Sequence, residues 1–356
     1  MEPYRELPNA PARIIVEERE PLTIAFESGQ VTYSEHDVDL YNSGVNFILS
    51  ASAARGHTLF HFSMTDVTAH DGTIGAIATK LVLPERRTHE TPYVYQDLKR
   101  AERVFLPFER IDLYFIRGDD IKPSTPNVEA LATLERESVG LESLAGTLDT
   151  CDKYEVVRRC TDAPQPATYK ADTLEEALDA IRIVPQTDGR FVLKDRFGYG
   201  CGKQVHLVSA RDPQLEPSLV QYLSEYKHII IQEFVPSVRE GDLVSTFFDG
   251  VHLGTMKRIP APGEWKANAS LGSREEHHAP SEQQVTIARS VATCFDVRLC
   301  SIDLFPSGAV IEINAFPGGE GLYRTHDVDI GSVVLETMEP EAHAARVRRI
   351  REGDMR

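Results

Sequence analysis

Leu299-Cys300-Ser301-Ile302-Asp303-Leu304-Phe305 is followed, after Pro306-Ser307-Gly308, by Ala309-Val310-Ile311-Glu312-Ile313-Asn314. The two apolar runs around a Pro-Ser-Gly turn predict a β-hairpin. Period-two alternation puts Glu312 and Asn314 on one face of the second strand, and the hairpin can bring Asp303 alongside them. Ile311 and Ile313 point to burial of the opposite face. Two carboxylates and an amide oxygen among apolar neighbours make a hard oxygen set, suited to Mg²⁺ bound with nucleotide phosphates. The alternative is a solvated strand face.

Upstream, Leu243–Phe248 and Val251–Met256 are joined by Asp249-Gly250, a strong hairpin signal. Lys257-Arg258-Ile259-Pro260 follows, and residues 259–280 read as a long polar loop carrying Trp265, Lys266 and Asn268, the kind of segment that serves as a lid. A fixed arginine beside a mobile basic loop suits an anionic intermediate, whereas the bland reading is a solvated basic edge. Ile229–Val235 is a continuous apolar strand closed by Pro236; the free backbone at its end, with Gln232, Glu233 and Val235, could read an adenine edge, and Asp242 beyond it could take ribose hydroxyls. Phe191-Val192-Leu193-Lys194 runs into Gly198-Tyr199-Gly200-Cys201-Gly202-Lys203. Such glycines let backbone N–H groups approach an anion, although the spacing is neither a Walker loop nor a Rossmann turn. A plain turn is the other reading. Thr173-Leu174-Glu175-Glu176 is a capping box opening a helix.

Toward the N-terminus, strand Leu22–Phe26, helix Gly44–Arg55 and strand Thr58–Phe62 predict a parallel α/β unit. Ile111–Ile116 adds a strand ending at Arg117, where such sheets place ligands. Residues 1–21 read as a flexible arm. The arginine-rich end, Arg346 to Arg351, reads as a solvated helix face, and His277-His278 as a solvated pair and not a metal site.

The 356 residues carry 38 Lys+Arg against 55 Asp+Glu, a formal charge of −17, which argues against broad nucleic-acid or anionic-membrane binding. No apolar run approaches the ~20 residues of a membrane span. Five cysteines without a CxxC pair suggest reduced thiols, hence a cytoplasmic protein. The length suggests two domains.

In this order the residues resemble the ATP-grasp superfamily, particularly bacterial glutathione-synthetase-like carboxylate–amine ligases. The ordered set is a lysine (Lys153), a strand lysine with a glycine loop, a Gln-Glu-Phe hinge, Arg-Ile-Pro with a downstream asparagine, then Asp303 and Glu312-Ile313-Asn314. The resemblance implies an α/β (α+β ATP-grasp) fold: an N-terminal parallel α/β domain at 22–124, then an ATP-grasp domain at 125–342 with a lid subdomain at about 150–234 and an antiparallel-sheet C-terminal domain, and a tail at 343–356. It implies ATP contacts from Lys153, Lys194, Gly198, Gly200, Gly202, Gln232, Glu233, Val235 and Asp242, and magnesium (or manganese) on Asp303, Glu312 and Asn314. Arg258 and Asn268 would be catalytic; Arg117, Lys266, Gly318 and Gly319 would bind substrate. The implied activity is ADP-forming amide or peptide synthesis through an acyl phosphate, on small carboxylate and amine substrates, by a cytoplasmic homo-oligomer (dimer or tetramer) without nucleic-acid or membrane partners. A kinase on the same fold and a non-catalytic nucleotide-binding protein are the alternatives. The sequence departs from the glutathione-synthetase pattern at Leu243-Val244, Asp195, Cys201 and Lys266. Ala315-Phe316-Pro317-Gly318-Gly319-Glu320-Gly321 is closer to ligases that add amino acids to protein or carrier ends.

Overall fold

The computed structural model describes residues 20–27, 31–33, 38–40, 43–82, 99–116, 121, 125–198, 202, 204–268 and 271–353, with backbone alone for 31–33, 38–40, 43–46 and 99. Expectations for 1–19, Arg117, Gly200, Cys201 and Lys203 fall outside these residues.

The N-terminal unit comprises β1 (Thr23–Glu27), a small hairpin of β2 (Val31–Tyr33) and β3 (Val38–Leu40), α1 (Ser43–Ala54), β4 (Thr58–Phe62), β5 (Val67–His70), β6 (Thr73–Val82), β7 (Lys99–Pro107), β8 (Leu113–Ile116), α2 (Leu131–Glu137) and β9 (Val139–Gly140). β1 lies parallel between β4 and β8, and β8 parallel to β9. The expected parallel sheet is only half of what forms, because β6 runs antiparallel to β4, β5 and β7. The physical reason is local: Asp71 and Gly72 both take positive φ, 50° and 79°, and fold β5 straight back onto β6. The unit also runs past the expected boundary at 124, since β9 completes its sheet.

The middle lobe follows α3 (Leu144–Cys151) and α4 (Lys153–Arg159). It contains β10 (Thr168–Ala171), α5 (Leu174–Ile183), β11 (Arg190–Asp195), β12 (Val205–Ser209), α6 (Leu215–Tyr226) and β13 (Ile229–Glu233). The strands form an antiparallel sheet in the order β10-β13-β11-β12. α5 opens at the Thr173–Glu176 capping box. Its apolar face joins Phe191, Leu193, Ile229 and Ile231 in a core separate from the rest of the protein.

The third sheet is antiparallel, in the order β16-β15-β14-β17-β18. Its strands are β14 (Asp242–Phe248), β15 (Val251–Ile259), β16 (Arg274–His277), β17 (Leu299–Leu304) and β18 (Val310–Ala315), with α7 (Glu282–Ala292) between β16 and β17. α8 (Glu320–His326) and α9 (Ile330–Gly353) close the chain. Two expectations are corrected. The segment 259–280 is not all loop, because Arg274–His277 pairs with β15; a short charged edge strand shows no apolar alternation by which to recognise it. No break separates a tail at 343, because α9 runs unbroken through it and packs on α1.

Arg346 and Arg349 do not form the solvated face expected of them. Arg346 Nε donates to Asp112 Oδ1 at 2.9 Å and Arg349 Nη2 donates to the same oxygen at 2.6 Å. Asp112 is 3% exposed and also accepts from the Thr23 amide at 2.8 Å. The end of the chain is thereby stapled to the entry of β1.

Candidate nucleotide and metal site

The middle sheet and the C-terminal sheet face one another across a cleft of about 470 Å³. On its floor, Asp303 on β17 is paired in register with Glu312 on β18, and Ser301 with Asn314. Side chains of directly opposed residues share a face, so the two carboxylates stand together as the hairpin reading expected. Asn314 Nδ2 donates to Glu312 Oε1 at 3.4 Å.

Arg258 on β15 reaches across this floor. It forms a two-pronged pair with Asp242, at 2.8 and 2.7 Å, and donates to Asp303 Oδ2 at 2.6 Å. Asp303 Oδ1 is buried, with no hydrogen-bond partner among the described residues. A buried carboxylate oxygen left without a donor is costly unless a cation takes it. With Glu312 and the Asn314 amide oxygen beside it, the donor set is the hard-oxygen type that fits magnesium. Asp242 has both oxygens engaged by Arg258, so its geometry is that of a residue orienting the arginine, and the ribose contact expected of it is not supported.

Opposite the carboxylates stand the lysines. Lys194, at the end of β11, is 8% exposed. Burial pushes its ammonium down to about 8, with Lys153 adding to the fall while Glu312 and Asp303 pull it back. Burial pushes Asp303 up to about 7 against the pull of Arg258, and Glu312 adds to the rise. Burial also opposes ionisation of Glu312, yet Lys153, Lys194 and Arg258 together hold its carboxyl below the ordinary value. The centre is a balanced mix of buried charges, cation-rich toward the lysines.

Local structure explains how these groups are held. Asp152 caps α4 through the Tyr154 amide, at 2.9 Å, and takes a two-pronged pair from Arg196 just beyond β11. Lys153, the first residue of α4, is thereby carried to the glycine turn, where its Nζ donates to the Gly198 carbonyl. Lys266 Nζ donates to the Gly202 carbonyl at 2.7 Å and the Val205 carbonyl at 3.3 Å. A Cβ on Gly202, whose φ is 77°, would lie 2.6 Å from Asn268 Oδ1, so the turn and the 260–268 segment close on each other only because this position is glycine.

Gln232, Glu233 and Val235 line the same cleft where β13 leaves its sheet. The Glu233 amide donates to the Ala167 carbonyl at 2.8 Å, and Glu233 Oε2 accepts from the Ala167 amide at 3.1 Å. Gln232 Nε2 is spent on Thr168 Oγ1 at 2.9 Å. Gly318 lines the cleft. Gly319 does not: a Cβ there would point at Ile330 and Phe47, so it serves the packing of α8 against the core. Three charged lining residues were not singled out from sequence: Glu275 on β16, and Glu320 and Arg324 on α8. Only their arrival at the cleft in three dimensions distinguishes them from ordinary surface charges.

The fold is that of the ATP-grasp superfamily. A solved structure of the ATP-grasp ligase PsnB, complexed with minimal precursor, Mg and ADP, superposes with a TM-score of 0.54 at 14% identity, over 90% of this chain and 98% of that one. Residues 166–319 match the family model described as the prokaryotic glutathione synthetase, ATP-grasp domain. The chain is 26% identical over 318 residues to the glutathione synthetase of Agrobacterium fabrum, covering 85% of this chain and 95% of that protein. It is also 28% identical over 183 residues to a probable alpha-L-glutamate ligase of Legionella pneumophila (strain Corby), covering 50% and 59% respectively. The chain spans 25% to 59% of the length of the alpha-L-glutamate ligases it matches. Among the described residues no helix is long and apolar enough to cross a membrane.

Proposed function

We propose that this protein is an ATP- and magnesium-dependent ligase that joins a carboxylate to an amine through an acyl phosphate, acting on small amino-acid or peptide substrates. The observation that carries the reading is the Asp303 carboxylate, whose Oδ1 has no partner among the described residues, set in register with Glu312 between Arg258 and the two lysines. ATP lies in the cleft with its base at Glu233–Val235 and its phosphates toward Lys153, Lys194 and the glycine turn. Asp303, Glu312 and Asn314 would hold magnesium, which would supply positive charge against the phosphates. Arg258, fixed by Asp242, stabilises the charge that builds on the transferring group and then on the tetrahedral centre. A carboxylate oxygen of the first substrate attacks the γ-phosphorus and ADP leaves. The amine nitrogen then bonds to the acyl carbon as the C–O bond to phosphate breaks, its proton passing to the departing phosphate. No side-chain base is required, so catalysis is positioning and charge neutralisation. Segment 260–268 and the glycine turn, joined by Lys266 and Asn268, exclude water from the acyl phosphate.

The test is ADP release and product mass across a panel of acids and amines with Mg·ATP. Turnover that needs both substrates, with a product lighter than their sum by one water, is expected, and Glu312→Gln is expected to lower it by at least about a hundredfold. A stable phosphorylated product formed without amine would instead make the protein a kinase. Tight ATP binding with no turnover across the panel would make it a nucleotide-binding protein.

A further inference from the structure

Away from the cleft, two thiols meet just before the chain enters the middle lobe. Cys160 is the C-cap of α4, and Cys294 follows the end of α7. Cys160 is 5% exposed and belongs to the apolar core under the third sheet, with Cys294 packed against that core from its edge. The two thiols interact directly. Their chain neighbours meet as well, because the Arg159 guanidinium lies over the Phe295 ring, 5.4 Å from its centroid. Two successive residues of one segment thus touch two successive residues of the other. The Cys160 backbone is also held, its carbonyl accepting from the Ala163 amide at 3.0 Å and from Gln165 Nε2 at 2.8 Å.

The two thiols differ in access. Among the described cysteines, Cys151, Cys160 and Cys300 are buried and Cys294 is half-buried. Burial, and then contact with Cys294, push the Cys160 thiol up to about 12, so it is inert toward reagents in solution. Cys294, whose Sγ donates to the Ser290 carbonyl at 3.1 Å, is the thiol a small reagent reaches. We propose that Cys160 and Cys294 are a redox-controlled pair, which a low-molecular-weight disulfide converts to a protein disulfide that ties α4 to α7. The Cys294 thiolate attacks one sulfur of the reagent, whose S–S bond breaks as one thiolate leaves. The Cys160 thiolate, held in contact, then attacks Cys294 Sγ and expels the second. Two protein thiols are oxidised and one small disulfide is reduced to two thiols, which take up the two protons. The tie acts on the lobe through α4, which packs both on β10 of the lobe and on β18 of the third sheet and begins at Lys153, the residue that reaches the glycine turn. The loop closed from residue 160 to residue 294 contains the whole middle lobe.

The inference does not depend on the ligase reading, because the bridge is read by mass without nucleotide. The native full chain is incubated with hydroxyethyl disulfide, then with dithiothreitol, and followed by intact mass and by peptide mapping without reduction. Loss of two hydrogens is expected, with one peptide joining Cys160 to Cys294, reversed by dithiothreitol. The bridged form should melt at least about 5 °C higher, since a long loop is closed in its unfolded state. It should also release Mg·ADP at least about threefold more slowly in a stopped-flow chase, because the helix that joins lobe to body is held. Cys160→Ala should stop at a mixed disulfide on Cys294 and show neither effect, and Cys294→Ser should leave Cys160 unmodified. A mixed disulfide that persists on Cys294 of the wild type, a bridge between any other two cysteines, or no reaction of the native chain would overturn the pair. A Cys160–Cys294 bridge that changes neither melting nor ADP release would overturn its hold on the lobe.

Discussion

Lys194 is an ammonium enclosed among apolar strand neighbours, and the site works only if it is charged when ATP arrives. Burial holds it down to about 8, from the ordinary lysine value of 10.5. Phosphate oxygens favour the charged form, so ATP affinity is expected to be flat near pH 7 and to fall as pH rises past 8, by up to about tenfold per unit. Without nucleotide the sign for stability is the reverse: the unfolded lysine holds its proton to higher pH, so the site costs stability below 8 and that cost fades toward 10.5. Calorimetry from pH 7 to 9.5 checks the first part. An affinity that does not change across this range, or a Lys194→Met variant that keeps the same pH dependence, would refute the assignment. The pairing of Asp303 with Glu312 was legible in the sequence because a two-residue period and one tight turn determine it. The Arg258–Asp242 pair was not, because it depends on the register of β15 against β14, which no local pattern states.

At the scale of elements, charge decided what apolar periodicity did not. β16 is Arg-Glu-Glu-His, and α9 ends in a run of arginines; both read as solvent-facing in isolation. In α9 the arginines are drawn in by one buried carboxylate. Asp112 is 3% exposed, and Arg346 and Arg349 bring it guanidinium donors. Removing both leaves that charge with little beyond the Thr23 amide, and stranding a buried carboxylate costs about 3–5 kcal/mol, against ±0.5 kcal/mol for typical surface charges. The double variant Arg346→Ala/Arg349→Ala is therefore expected to lower unfolding free energy in urea by about 3 kcal/mol. A change below about 0.5 kcal/mol would restore the solvated-face reading. The helix is anchored elsewhere too: Gly331 sits so close to α1 that a Cβ would run into the Phe47 carbonyl, a close approach in the sense glycine alone permits.

Across the whole molecule, the cores do not follow the expected division at 124 into an N-terminal domain and an ATP-grasp domain. Phe26 and Phe115 of the first sheet and Phe47 of α1 share one core with Phe248 and Leu299 of the third sheet and Leu322 of α8. The middle lobe keeps its own core around Phe191 and Ile231. The first and third sheets thus share one body, and the middle lobe stands across the cleft from it on a core of its own. A polyanion bound by a protein of charge −17 needs local inversion of the field, and Lys194 of the middle lobe, with Lys153 on α4, set against Asp303 and Glu312 of the body provides it. A small apolar cluster spans the join: Val192 and Phe234 of the lobe side meet Phe305 of the body, with Trp265 packed on it. Trp265 is the only tryptophan, and its ring stands edge-on to Phe234 at 5.8 Å between centroids. Any rotation of the lobe on the body moves Phe234 against that ring, and Lys266 next to it is tied to the glycine turn. Mg·ATP, or a non-hydrolysable analogue, is therefore expected to shift Trp265 emission in a saturable way whose midpoint matches the calorimetric affinity. The shift should be absent when magnesium is chelated and diminished in Lys266→Met. Emission that stays constant while calorimetry shows the site filled would mean that the lobe and the body do not move at this join.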